Sequence, residues 1–118
     1  MTNAVTIEGK RVFLSGPMTG HKHFNVAAFV DAHITLVDAG AKSVYDPALR
    51  WLNADTDITA RKTHEEYMRE SIHMLTAPVG WDVVVLLPGW EDSEGAVHEA
   101  AVAEACGIPR VELCEALS

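Results

Sequence analysis

Residues 82–87 read DVVVLL, a β-branched run bounded by Trp81 on one side and by Pro88 and Gly89 on the other. The run is too short for a helix and has no polar alternation, so it predicts a strand buried on both faces near the centre of a sheet. Such a strand needs a covering layer on each side, and the flanking sequence offers helices. Over residues 24–39 apolar side chains recur at Val26, Phe29, Val30, Ile34 and Val37, a helical spacing with Asn25 placed to cap the start and Gly40 the end. Thr63 and Glu66 form a capping box ahead of Tyr67, Met68, Ser71, Ile72, Met74 and Leu75, which predicts a second helix ending near Leu75. Residues 93–106 are alanine-rich and predict a third helix, stopped by Gly107. Shorter strands are expected at 11–15 (RVFLS), 42–45 (KSVY) and 109–113 (PRVEL). Residues 48–62 show no clear period and are expected as a loop with one short helical turn at most.

Strand and helix alternate along the whole chain, the pattern that builds a parallel sheet through right-handed crossovers. The expectation is a small Rossmann-like or flavodoxin-like α/β fold, with about four strands and helices on both faces. At 118 residues the chain makes one domain, since two halves would each be too small to bury a core.

A hydrophobic share of 48% with 22% charged residues is ordinary for a globular protein and excludes a disordered tail. The formal net charge of −8 repels DNA or long RNA over most of the surface, although a local site can still hold a small anion. No apolar run is long enough to span a bilayer, and the first residues lack the basic start and apolar stretch of a secretory signal. A cytoplasmic location without membrane contact is expected. Cys106 and Cys114 lack CxxC spacing, so reduced side chains in packing roles are expected. There is no HExxH motif, and among the six histidines only His21 and His23 are close, so neither a metal nor another cofactor is expected.

In a sheet of this kind ligands bind at the carboxyl ends of the strands. Two loops leave from there. The first, Ser15-Gly16-Pro17-Met18-Thr19-Gly20, has neither GxGxxG nor a Walker lysine, which argues against a dinucleotide or ATP site. Gly16 and Gly20 either admit a ligand close to the backbone or simply allow a tight turn. The second, running from Gly89 through Trp90, Glu91, Asp92, Ser93 and Glu94 to Gly95 and Ala96, opens directly into the third helix. The first turn of a helix has unpaired N–H groups and attracts anions. Ser93 is an N-cap on one reading and touches a phosphate or sugar oxygen on the other. Trp90 either stacks on a planar base or anchors the loop by packing.

Glu99 stands six residues after Ser93, about 9 Å further along the helix. It shares a stripe with Ala96, Ala103 and Cys106, all small, and helical side chains lean toward the N-terminus, where Gly95 and Ala96 leave room for one sugar ring. A carboxylate there is either an ordinary exposed helix Glu or a partly buried group facing a pocket. The second is unfavourable for folding unless paired and is typical of catalytic acids.

Taken together, Val12-Phe13-Leu14-Ser15-Gly16-Pro17-Met18-Thr19-Gly20, then Phe24-Asn25, then residues 82–96 with Glu99, resemble the small phage and bacterial proteins grouped as DUF4406. Those in turn resemble the nucleoside 2-deoxyribosyltransferases and the deoxynucleoside 5′-monophosphate N-glycosidases. The resemblance implies that Glu99 attacks the anomeric carbon of a nucleoside or its monophosphate, releasing the base and leaving a glycosyl ester. Water then completes hydrolysis, or a second base completes transfer. It implies a phosphate contact for Ser93, with Gly95, Ala96, Ser15, Gly16 and Gly20 in support and the base near Trp90 and Met18. It also implies a homodimer or larger homo-oligomer.

Two positions depart from the pattern. Phe13 stands where those families carry a Tyr that contacts the nucleophile. Ser71 stands where they carry an Asp that protonates the leaving base, and serine cannot act as that acid; Glu70, Asp92 and His98 are the substitutes within reach of the sequence. The same departures suit a binding protein that keeps the pocket without turnover.

Overall fold

The computed structural model describes residues 6–17, 25–47, 64–78 and 80–116. These form a four-stranded, wholly parallel sheet with helices on both faces. In chain order the elements are β1 (Arg11–Ser15), α1 (Val26–Asp38), β2 (Ser43–Tyr45), α2 (His64–Leu75), β3 (Val83–Leu86), α3 (Glu94–Ala105), β4 (Arg110–Glu112) and α4 (Leu113–Ala116). A single 3₁₀ turn, Trp90–Asp92, joins β3 to α3. The expected α/β architecture is what the chain adopts. The expected loop at 48–62, Thr63 of the capping box, Phe24, and the His21 and His23 pair lie outside the described residues.

The strand order is β2-β1-β3-β4. The chain therefore steps outward from β1 to β2, returns over β1 to β3, and continues to β4, which is the flavodoxin-like winding. Ordinary right-handed crossovers put α1 on one face of such a sheet and α2 with α3 on the other. The core divides accordingly. Val12, Leu14, Val83 and Val85 pack with Phe29, Ala32 and Leu36 of α1. On the opposite face Phe13, Val84 and Leu86 pack with Leu75 of α2 and with Ala100 and Ala103 of α3. All four residues of β3 are buried, as a strand with neighbours on both edges and helices on both faces must be.

Asp82 stays outside β3. Its N–H donates to the Arg11 carbonyl at 2.9 Å, and its Oδ2 accepts from the Arg11 N–H at 2.9 Å. This reciprocal pair sets the register in which Val12 faces Val83. The last strand is shorter than expected, because Leu113 opens α4.

Two local expectations are corrected. Asn25 does not cap α1 with its side chain; it sits in the left-handed region at φ 62°, and its Nδ2 donates to the Pro17 carbonyl at 2.9 Å. The amide is committed to tying the end of the first loop to its beginning. Cys106 and Cys114 form no disulfide among the described residues, and both are exposed rather than packed. Cys106 is the C-cap of α3, where the chain turns off the helix. The turn needs Gly107 at φ 75°, so that Ile108 N–H can reach back to the Ala103 carbonyl at 2.8 Å.

Beyond β2, Asp46 is 5% exposed and its Oδ2 lies 3.1 Å from His33 Nδ1 on α1, fastening that helix to the strand end. Among the described residues no helix is long and apolar enough to cross a membrane.

Candidate active site

The winding reverses between β1 and β3, and in open α/β sheets such a reversal is where ligands bind, outside the carboxyl ends of the strands. Ser15 is the last residue of β1 and pairs with Leu86 at the end of β3. Because side chains alternate along a strand, Ser15 points to the same face as Phe13, toward α2 and α3. Gly16 follows. A Cβ on Gly16 would lie 2.7 Å from the Leu87 Cβ, so this position needs glycine for the close approach of the two strand ends. That packing requirement accounts for Gly16 without any ligand. Met18 and Gly20, the other expected contributors from this loop, lie outside the described residues.

From α3, Glu99 projects into the same region. It is 1% exposed, and its helix neighbours Ala96, Ala100 and Ala103 are equally buried. The small stripe lets α3 approach the sheet closely enough to carry the carboxylate inside. Ser15 Oγ donates to Glu99 Oε1 at 2.5 Å. Ser71 Oγ, from the middle of α2, donates to Glu99 Oε2. Three elements thus converge on one carboxylate. Burial pushes its pKa above the ordinary value of 4.5, while the hydroxyls of Ser15 and then Ser71 pull the other way, and burial prevails.

The partners of Glu99 were only partly legible in the sequence. Ser15 was expected at the site as a ligand contact, not as a hydrogen-bond donor to Glu99. The sequence places Ser71 on the helical stripe with Met68, Ile72 and Leu75 and, through the resemblance, where an acid is lacking, but not as a partner of Glu99. Their sequence separations from Glu99 are 84 and 28 residues, so no local spacing rule connects them. The available signal for Ser15 was its place at a strand end, two residues from Phe13 and therefore on the same face.

Phe13 keeps the centre of this face apolar. Its ring stacks on Tyr45 at a centroid distance of 4.8 Å and meets Trp81 edge-on at 5.8 Å. Tyr45 is its register partner on β2.

The loop after β3 is tightly organised. Trp90 N–H donates to Leu87 O, Asp92 N–H to Gly89 O and Ser93 N–H to Trp90 O. Ser93 caps α3, its Oγ accepting from the Ala96 N–H at 3.2 Å and its carbonyl from the Val97 N–H at 2.9 Å. The Ala96 N–H expected to face a ligand is therefore spent on the cap, and Gly95 remains to offer one from the first turn. Trp90 packs against the cluster containing Leu86 and Ala100, which is the anchoring role. Its indole N–H is buried and finds no acceptor among the described residues.

The three substitutes for a proton donor stand elsewhere. Asp92 is exposed in the 3₁₀ turn. His98 is exposed and lies 3.7 Å from Glu94, one turn back on α3. Glu70 precedes Ser71 and so points about 100° away from it round the helix; with Glu66, Arg69 and His73 it lines an open cavity of about 370 Å³. Among the described residues Ser15 and Ser71 are the side chains hydrogen-bonded to Glu99, and no group of three or more His, Cys, Asp or Glu is arranged to hold a metal ion.

The distinctive group of this region is thus a buried carboxylate at the carboxyl edge of a parallel sheet, with a hydroxyl donor on each oxygen. No curated protein and no solved structure matches the chain. The sequence model of the family described as Domain of unknown function (DUF4406) matches residues 10–112, which is most of the chain, and the protein belongs to that family.

Proposed function

We propose that the protein cleaves the bond between base and sugar of a (deoxy)nucleoside 5′-monophosphate, with Glu99 as the nucleophile. One Glu99 oxygen bonds to C1′ as the bond from C1′ to the base nitrogen breaks. The electron pair leaves with the base, which takes up a proton from solvent; water then adds to the glycosyl ester, frees the sugar with its new hydroxyl, returns a proton to solvent and restores the carboxylate. The observation that carries this reading is the burial of Glu99 beside the β1 and β3 ends, with hydroxyl donors on both oxygens. A carboxylate so placed costs folding free energy, and such costs concentrate at working sites. The Gly95 N–H and the Ser93 hydroxyl lie at the positive end of α3, which favours an anionic group such as a phosphate. Exchange of one base for another, as in a deoxyribosyltransferase, uses the same ester with a second base in place of water.

The test is incubation with a panel of deoxynucleoside and ribonucleoside monophosphates, followed by chromatography for free base. Release by the wild type that is lost in Glu99→Gln supports the proposal; no release from any member of the panel overturns it. A second free base added to the same mixture separates transfer from hydrolysis, since transfer alone produces the exchanged product.

One observation favours a second reading. Ser71, which cannot protonate a leaving base, occupies a Glu99 oxygen directly. That suits a protein that binds nucleotides without turning them over, for which nucleotides raise the melting temperature and no base appears.

A further inference from the structure

The Glu99 side chain has three rotatable bonds, and its helix neighbours Ala96, Ala100 and Ala103 are too small to pin it. Something else must orient the carboxyl group. The two hydroxyls that reach it come from different elements and take different oxygens. We propose that Ser15 and Ser71 are positioning residues forming a two-point clamp, each holding one oxygen of the Glu99 carboxylate so that the group keeps a single plane at the carboxyl edge of the sheet. This deepens the reading of Glu99 as a nucleophile and rests on it for its purpose.

The reasoning is geometric. One hydrogen bond to a carboxylate leaves the group free to rotate about its last bond; two bonds to opposite oxygens from separate elements define its plane. The bonding pattern also distinguishes protonation states. An ionised carboxylate accepts at both oxygens, whereas the neutral acid donates from one of them and would force one serine to reverse its hydroxyl. The clamp therefore favours the charged form against the burial that disfavours it. Both donors are neutral, so the carboxylate is held without its charge being cancelled, as an Arg or Lys partner would cancel it. Among the described residues no ion pair includes Glu99. A nucleophile needs that combination of fixed direction and retained charge.

The experiment follows the Glu99 carboxyl carbon by ¹³C NMR through a pH titration of the ligand-free protein, with Glu99→Gln identifying the signal. Ser15→Ala and Ser71→Ala are each expected to raise the titration midpoint, the double variant to raise it further than either, and Ser71→Thr, which keeps the hydroxyl, to return it toward wild type. A side chain that only fills space would leave the midpoint where it was. Unchanged midpoints in both alanine variants, or a threonine variant that behaves as alanine, would overturn the clamp.

Should an alanine variant fail to fold, the wild-type protein supplies its own test. Two slowly exchanging serine hydroxyl protons with cross-relaxation to the Glu99 side chain are expected, and absence of both overturns the proposal. Because these readouts need no substrate, they stand apart from the base-release assay. A clamp without base release defeats the enzymatic reading alone, and base release without a clamp defeats this one alone.

Discussion

Burying the Glu99 carboxyl is costly to this fold, and the cost depends on pH. The carboxyl is held above the ordinary value of 4.5 by burial, so over the interval from 4.5 up to its raised value the folded protein retains a proton that the unfolded chain has released. The stability that Glu99 contributes is therefore greatest below 4.5 and declines as the pH rises through that interval. In Glu99→Gln this decline is expected to disappear, which urea denaturation between about pH 4 and 8 measures. The same substitution is expected to lower base release by about 10³-fold or more, while stability at neutral pH stays equal or rises, because a buried charge is replaced by a neutral group. A variant that lost both stability and activity would point to a structural Glu99. At this scale the sequence showed the nucleophile candidate but not its partners. The run of small residues around Glu99 left it open between an exposed and a buried group, and the structure decides for burial; Ser15 and Ser71 reach it only through the way β1, α2 and α3 pack.

Among the elements, the junction of β1, β3 and α3 decides where the site lies. Gly16 and Leu87 touch so closely that a methyl group does not fit between them. Gly16→Ala is expected to cost about 1–3 kcal/mol through overpacking, seen as a lower urea midpoint at unchanged slope. The Ser93 hydroxyl is half of the α3 cap, and Ser93→Ala is expected to cost about 1 kcal/mol whether or not a ligand binds there. If Ser93 also holds a phosphate, the same variant weakens monophosphates and leaves nucleosides unaffected, which thermal-shift titration separates. Asn25 shows why local rules stop at loops. Its position before a helical run is that of an N-cap, but a loop whose two ends must meet finds a better use for the amide on the Pro17 carbonyl. The Gly107 stop was readable because a positive φ is a local requirement, and glycine meets it regardless of what packs nearby.

The molecule as a whole is two small cores on either side of one sheet. The core on the α2 and α3 side depends on aromatic packing: Phe13 is fully buried and joins Tyr45 to Trp81 across the strands. Phe13→Ala is expected to cost about 3–5 kcal/mol, a large part of the stability of so small a domain, and to reduce the near-ultraviolet circular dichroism of the stacked rings. The exposed cysteines mark where reading by residue type fails. Cys106 falls on the stripe of Ala96 and Ala103, but the helix ends there and the side chain leaves the core. What the sequence alone determined was the alternation of strands and helices and a buried central strand, which the structure narrows to Val83–Leu86 with Asp82 left exposed, because period and turn residues act over a few neighbouring positions. What only the tertiary structure decided was the order β2-β1-β3-β4 and, with it, the meeting of Ser15, Ser71 and Glu99. Contacts between residues far apart in the chain depend on which surfaces pack together, and no spacing along the sequence encodes that directly.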